Sequence, residues 1–483
     1  MNRPLVVRLL GSIAMIEAAC MVPSLLLSFY YGEGDSLAFA LCIIILLGIG
    51  LLIRRLVNPE DKNLNAREGI VVAATSWLLL SAFGALPFVF SGVIPNYVDA
   101  LFESISGFTT TGATILTQID GLPHGVLFWR SFTHWIGGMG VLVLFLSLLP
   151  KLTGRTSHLM RAESPGPTLS KLMPKMGDTA KMLYVIYAAL TVIEYIVLRI
   201  CGLGRFDAII HAMGTAGTGG FSNYGASIAA FNSPAVEVVI TVFMILFGVN
   251  FALFYRLVTG GWREVVKNEE LRWYLGICLA SILLIAFMLL PTYGDFLTAL
   301  RYSGFQVASV MSTTGFATTD FNLWPIAAKM LIFVLMFVGS CAGSTAGGLK
   351  IIRLAIMVKQ GKREITRTFQ PRKVERVCFE GKGVEESMLH SIAVYTFVYV
   401  LFVLLGSFLV GLEGKFDLET NLTAALTCVS NVGPGLGAIV GPAGNFAGYG
   451  PFAKLVLSVL MLAGRLELFP ILVLLNPRVW KRS

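Results

Sequence analysis

The chain has 483 residues and a formal net charge of +9; 55% of its residues are hydrophobic and 13% charged, and its mean hydropathy is +0.76. Ordinary soluble domains carry about 25% charge, so this composition excludes a water-soluble fold and leaves an integral membrane protein with room for roughly ten spanning helices of about 20 residues. The seven cysteines are scattered without a C-x-x-C pair, which removes a disulfide framework and a structural zinc site from consideration.

From the N-terminus, residues 3–30 form an apolar run too long for a cleaved signal; it contains Glu17 and lacks a small-residue cleavage site near its end, so it predicts an uncleaved helix. Further apolar windows fall at about 37–56, 69–91, 126–149, 180–203, 234–258, 271–291, 323–358, 388–411 and 450–475. Between the members of four pairs lie shorter stretches, 97–111, 205–218, 296–313 and 418–431, each ending in a glycine turn. They are too short to cross a bilayer and fit re-entrant helices, which are tolerated at membrane depth only where protein or water satisfies the backbone. The expected fold is an all-α integral membrane protein with about ten transmembrane helices and four re-entrant pore helices.

The turns repeat. Thr110-Thr111-Gly112, Thr218-Gly219-Gly220, Thr313-Thr314-Gly315 and Asn431-Val432-Gly433 place their glycines 108, 95 and 118 residues apart, which predicts one unit repeated four times. The expected division is a two-helix extension over 1–60 and pore repeats over 61–155, 156–263, 264–383 and 384–483, the third with a broken inner helix. Four helix–pore-loop–helix units in fourfold pseudo-symmetry would bring the turns together around an axis. A ring of backbone carbonyls can replace a cation's hydration shell; glycine supplies the backbone angles this requires, and the C-terminal ends of the short helices favour a cation. The candidate ion ligands are the twelve residues of these turns, with threonine hydroxyls either adding ligands or tying each turn to its helix.

Of the 37 lysines and arginines, 29 fall at the N-terminus, in 54–68, 151–181, 256–272 and 350–382, and at the C-terminus. All six regions share one side if the long segments span and the short ones dip and return, so that side, with both termini, is expected to be cytoplasmic. Topology and contact with anionic lipid then account for the net charge without a nucleic acid partner. The opposite side carries Asp99, Glu103, Asp120, Asp207, Asp295, Asp320, Glu413, Asp417 and Glu419. These either focus cations at an outer mouth or avoid the inner face; the sequence leaves both open.

The eighth apolar segment is interrupted by Gly339-Ser-Cys-Ala-Gly343-Ser344-Thr345-Ala-Gly347-Gly348. The helix should break there and line the pore as a gate; a small-residue packing interface is the plainer alternative. Arg465, mid-way along the last apolar segment, should face water or a partner, because a mid-membrane charge costs about 3 kcal/mol even on permissive scales. It is expected to face the pore and to hold or release the Gly339–Gly348 loop. Lys350 reads as inner-face anchoring, and His134 and His211 as structural hydrogen-bonding groups.

Taken together, Phe108-Thr-Thr-Thr-Gly112-Ala-Thr, Gly217-Thr-Gly-Gly220-Phe-Ser, Ser312-Thr-Thr-Gly315-Phe-Ala-Thr-Thr-Asp320, Ser430-Asn-Val-Gly433-Pro-Gly-Leu and Gly343-Ser-Thr-Ala-Gly-Gly-Leu-Lys350 resemble the Trk/Ktr/HKT superfamily of potassium transporters. The resemblance covers essentially the whole chain and is greatest to the bacterial TrkH/TrkG type of membrane subunit, which carries an extra pair of helices before the first repeat. It implies potassium in the filter, favoured by glycine at position 112, with rubidium as a surrogate. It also implies a bacterial inner-membrane homodimer in which each chain has its own pore, and no covalent cofactor. A TrkA-like cytoplasmic nucleotide-binding subunit is the implied partner, through which NAD or ATP/ADP would act against the basic 151–181, 256–272 and 350–382 surfaces. By position, Gly339–Gly348 matches the family's gating loop and Arg465 its pore-facing arginine; Asn431-Val432-Gly433-Pro434 departs from the Thr-x-Gly-Phe pattern.

The leading expectation is therefore a gated, channel-like pore driven by the membrane potential, about 2.3 kcal/mol per charge per 100 mV, and not an enzyme. Symport with protons or sodium would need an ionisable group, for which Glu103 and Asp207 are best placed. An intramembrane serine hydrolase built on Ser340 or Ser344 would need a histidine at the same depth.

Overall fold

A computed structural model describes residues 1–60, 65–140, 176–474 and 476–477. Residues 141–149 of the 126–149 window, most of the 151–181 basic surface, and Lys62, Arg478, Lys481 and Arg482 lie outside the described residues.

The fold is helical, as expected for a polytopic membrane protein. Six described helices are long and apolar enough to cross a bilayer, and a seventh is added if a bent pair counts as one span. The first two, Arg3–Tyr31 and Ser36–Leu56, form an antiparallel extension. Small residues allow their close approach: a Cβ on Gly50 would lie 2.8 Å from the Gly11 carbonyl oxygen. At the far end of this pair the Glu33 carboxylate accepts from His124 N at 2.6 Å, which docks the extension on the start of helix His124–Gly138.

The pattern of a long helix, a short helix, a glycine turn and a further helix recurs four times, and the four short helices are Tyr97–Phe108, Arg205–Ala216, Phe296–Met311 and Leu418–Ser430. Three start at a side-chain cap: Asn96 accepts from Val98 N, Asp295 from Thr298 N and Asp417 from Thr420 N. The fourth carries Asp207 in its first turn.

Several long windows are broken, one where a break was expected and others where it was not. Window 323–358 divides into Ile326–Phe337 and Ile351–Phe369 around the small-residue loop, as predicted. Window 234–258 also divides, into Pro234–Phe247 and Phe251–Val258 at 94° to each other. At that break a Cβ on Gly248 would lie 2.7 Å from Ser340 Oγ, and Asn250 caps the second piece by accepting from Ala252 N at 2.9 Å. Helix Pro451–Arg465 ends where Glu467 and Leu468 adopt left-handed backbone conformations, so Arg465 is a helix-terminal residue and not a mid-helix one. Among the described residues the only β-sheet is the hairpin Cys378–Phe379 with Lys382–Gly383. Its Glu380 and Gly381 both have positive φ, as a tight two-residue turn requires.

Candidate functional site

Each short helix ends in the same cap. Thr110, Thr218, Thr313 and Asn431 have φ of 55°, 53°, 55° and 55°, a region that β-branched residues rarely enter. The next residue in each case donates its N–H five residues back: Thr111 to Ser106 at 2.9 Å, Gly219 to Gly214 at 2.9 Å, Thr314 to Ser309 at 2.8 Å and Val432 to Thr427 at 3.0 Å. This is the Schellman arrangement with threonine or asparagine where glycine is usual. Four copies of a strained conformation at equivalent positions mark a built feature.

The following glycines, Gly112, Gly220, Gly315 and Gly433, also have positive φ, of 78°, 74°, 84° and 104°. A Cβ on Gly112 would lie 2.1 Å from the Gly219 carbonyl oxygen, one on Gly220 2.0 Å from that of Thr314, one on Gly315 2.2 Å from that of Val432, and one on Gly433 2.7 Å from that of Thr111. The four turns therefore meet in a closed ring in chain order. Each glycine makes room for the carbonyl of the next turn, which a side chain at that position would have to displace. Such a ring offers oxygen ligands that suit a hard monovalent cation.

The turn side chains are largely spent on holding the ring. Thr111 Oγ1 bonds Thr109 Oγ1 at 2.8 Å and accepts from Asn431 Nδ2 at 2.9 Å, which joins the first turn to the fourth. Asn431 also donates to Met461 O, the work of the one residue that departs from the threonine pattern. Thr218 donates to Gly217 O, and Thr314 bonds Ser312. Thr110 Oγ1 is buried without a hydrogen-bond partner in the protein. Behind the ring, His134 links Gly107 O to Phe221 N, and His211 links Asp207 O to Ser222 Oγ, so both histidines serve as structural bonding groups.

Outside the ring lies a vestibule of about 110 Å³, lined by Gly112, Gly220, Gly315 and Gly433 and roofed by 440–446. None of its described lining residues is acidic, and one, Arg130, is basic. Most of the outer carboxylates have other work. Asp99 pairs with Lys454 at 2.7 Å, Glu103 with Arg130 at 2.6 Å, and Asp207 accepts from Asn223 Nδ2 at 2.7 Å. Asp320 accepts from Asn322 N. Asp417 is held below its ordinary carboxylate value by the Thr420 hydroxyl and N–H. Burial pushes Glu413 up, but the N–H groups of Ala453 and Gly450 and the nearby Lys415 outweigh it, and its net shift is downward.

On the other side of the ring sits the 338–350 loop. Its neck closes through Gly339 N to Leu349 O at 2.9 Å. Gly347 N donates to Thr313 Oγ1 at 2.7 Å and Ser340 Oγ to Met311 O at 2.8 Å, while a Cβ on Gly347 would meet Ser430 O. The loop thus lies directly against the third and fourth turns. Laterally it is bonded to the broken helix of the second repeat: Cys341 N to Gly248 O, Phe251 N to Gly343 O and Thr345 Oγ1 to Phe247 O. Glu270 Oε1 accepts from Ala342 N at 2.6 Å.

Arg465 donates to Thr345 O at 2.8 Å and to Gly137 O and Gly138 O at 2.5 and 2.6 Å. It ties the loop to the end of the first repeat's inner helix. Glu467 pairs with Arg353 instead. Lys350 is buried, with its ammonium donating to Ala346 O, so it closes the loop and is not a surface anchor. Ser340 and Ser344 donate to Met311 O and Cys341 O, and no described histidine bonds either, which leaves the hydrolase reading without a base.

Sequence reasoning missed Arg130 and the Gly248–Asn250 break. Arg130 had the signal that singled out Arg465, a lone charge inside an apolar window. The break had only Gly248 and Asn250 in an otherwise apolar run.

The chain is 36% identical over 482 residues to the Trk system potassium uptake protein TrkH of Salmonella typhimurium, covering 99% of each chain. It is 37% identical over 492 residues to the TrkH of Halomonas elongata, covering 100% of both. It matches the crystal structure of the potassium transporter TrkH from Vibrio parahaemolyticus with a TM-score of 0.89 and 31% identity, over 100% of both chains. The sequence model of the TrkH family, described as a cation transport protein, matches residues 36–481. With a matched family model over most of its length and full-length relatives of the same kind, the chain belongs to the TrkH family of cation transport proteins.

Proposed function

We propose that this protein takes up potassium through a gated, channel-like pore driven by the membrane potential. The observation that carries the reading is the closed ring of four turns, in which a carbonyl from each repeat packs against the glycine of the one before it. The twelve turn residues are the proposed filter, and Gly339, Gly343, Ser344, Thr345, Gly347 and Gly348 with Arg465 the proposed gate. The relatives' names as potassium uptake proteins support potassium as the ion. Of the two groups best placed for coupled transport, Glu103 is committed to Arg130, Thr114 and Ile115, and Asp207 to Asn223, which favours uptake without a co-transported ion.

The proposed setting is a bacterial inner membrane with both termini cytoplasmic, and the proposed units are the extension and four repeats delimited above. The proposed assembly is a homodimer with a pore in each chain. A TrkA-like nucleotide-binding subunit would act on the basic inner surface, bringing NAD or ATP/ADP to the gate; the name "Trk system" borne by the relatives fits a multicomponent assembly.

The test is rubidium uptake into liposomes holding the purified protein, with potassium, sodium and lithium as competitors, beside Gly112→Ser. Block by potassium but not sodium, with weaker discrimination in the variant, is expected. Equal block by both ions would refute a potassium filter. Where no uptake occurs, the measurement is repeated with the cytoplasmic subunit.

A further inference from the structure

We infer that Arg130 is a positioning residue for ion discrimination: it fixes the outer ends of the first two filter turns relative to one another, while Glu103 offsets its charge. The inference rests on the filter reading proposed above.

Arg130 is 2% exposed and Glu103 0%. Glu103 accepts from Arg130 Nε at 2.6 Å, from Thr114 Oγ1 at 2.9 Å and from Ile115 N at 2.9 Å, so one carboxylate holds the segment leaving the first turn. Arg130 NH1 donates to Ser222 O at 2.9 Å, and its guanidinium lies 3.6 Å from the Phe221 ring centroid, so the cation holds the segment leaving the second. The two segments flank the contact between Gly112 and the Gly219 carbonyl. Only a planar fork with several fixed donors reaches the carboxylate, the carbonyl and the ring face together; a lysine ammonium is a single point on a flexible stem.

The other turns are held differently. Nine residues before each filter glycine stand Glu103, His211, Gln306 and Ala424. His211 bonds Ser222 Oγ, Gln306 donates to Thr319 O at 3.4 Å, and in the fourth repeat Thr423 Oγ1 takes over by accepting from Leu436 N at 3.0 Å. Only the first position is a carboxylate, and it faces the one arginine on the vestibule wall. A bare positive charge there would oppose an arriving cation, so the pair has two separable effects. The fork sets geometry, and the carboxylate cancels charge.

The experiment uses the full-length protein in liposomes, with rubidium uptake measured against potassium and sodium for the unsubstituted chain, Arg130→Lys, Glu103→Gln and Glu103→Gln/Arg130→Gln. Thermal unfolding is followed for each. Arg130→Lys keeps the charge and is expected to lower potassium-over-sodium discrimination roughly tenfold, the worth of one charge-assisted hydrogen bond, with maximal uptake largely retained. Glu103→Gln is expected to raise KM, and the double variant to restore KM while discrimination stays low. Unsubstituted-level discrimination in a folded Arg130→Lys protein overturns the inference. So does a double variant whose KM is no better than that of Glu103→Gln, and this arm remains decisive if the lysine variant does not fold. Equal block of the unsubstituted protein by sodium and potassium would instead refute the filter reading and the inference together.

Discussion

Gly347 is bonded to Thr313: the loop's N–H meets the hydroxyl of a filter-turn residue at 2.7 Å, with both groups buried. The segment proposed as the gate and the ring proposed as the filter are thus one hydrogen-bonded unit. Thr313→Val preserves shape and β-branching but removes the acceptor. It leaves a buried N–H unsatisfied at a cost of about 1–3 kcal/mol. The expected outcome is a lower unfolding temperature together with higher rubidium uptake in the absence of any partner, and Thr313→Ser should behave as the unsubstituted protein does.

A methyl group at any of the four ring glycines meets a carbonyl of the neighbouring turn. Gly112→Ala, Gly220→Ala and Gly315→Ala force apart groups that leave 2.2 Å or less for the new carbon, and they do so at positive φ, where alanine is strained. Each is expected to reduce maximal uptake by at least tenfold, measured per reconstituted protein. Gly276→Ala is the control, since no atom lies within 4 Å of its added Cβ.

Glu270 holds the loop through Ala342 N. Glu270→Ala leaves the Ala342 N–H without its acceptor, at a cost of about 1–3 kcal/mol, and should speed proteolysis and hydrogen exchange in 339–348. Glu270→Gln retains a carbonyl acceptor and should show a smaller change. Indistinguishable exchange in the alanine variant would show that this contact does not restrain the loop.

Glu413 links the end of helix Glu386–Gly411 to the start of helix Pro451–Arg465 by accepting from Gly450 N at 2.7 Å and Ala453 N at 3.0 Å. Its carboxyl titrates below the ordinary value in the fold. Its stabilising contribution is therefore complete above the unfolded value of about 4.3 and is lost as pH falls through the lower folded one. Protection of the Gly450 and Ala453 amides, taken as exchange relative to the intrinsic rate at each pH, should fall as acidification carries Glu413 through its lowered folded value, and Glu413→Gln should flatten that dependence.

The parts of this fold set by local chemistry were legible in the sequence. Gly112, Gly220, Gly315 and Gly433 stand in repeated settings, and an aspartate or asparagine before three of the short helices announces their start. The Gly339–Gly348 break was legible because small residues cannot hold a lipid-facing helix. What escaped was set by long-range pairing. Nothing near Asp99 tells that Lys454, 355 positions away, will neutralise it, so the outer carboxylates could not be sorted into free and committed groups. Nor could the 94° bend after Phe247 be read from an apolar run, since Gly248 at the bend packs against Tyr274 and Ser340, which lie far along the chain in the next repeat. Arg465 was found by its cost in the bilayer, but its helix end is fixed by left-handed Glu467 and Leu468.

The contact between Gly433 and the Thr111 carbonyl closes the ring with the last and first repeats of one polypeptide. In a ring of identical subunits every substitution strikes all quarters at once, and intermediate geometries are out of reach. Here each quarter is encoded separately, so a single codon change alters one wall and leaves three intact. Selectivity in such a molecule can be adjusted in steps, and the departures already present, asparagine at 431 and the lone charged strut on the first two turns, are steps of that kind.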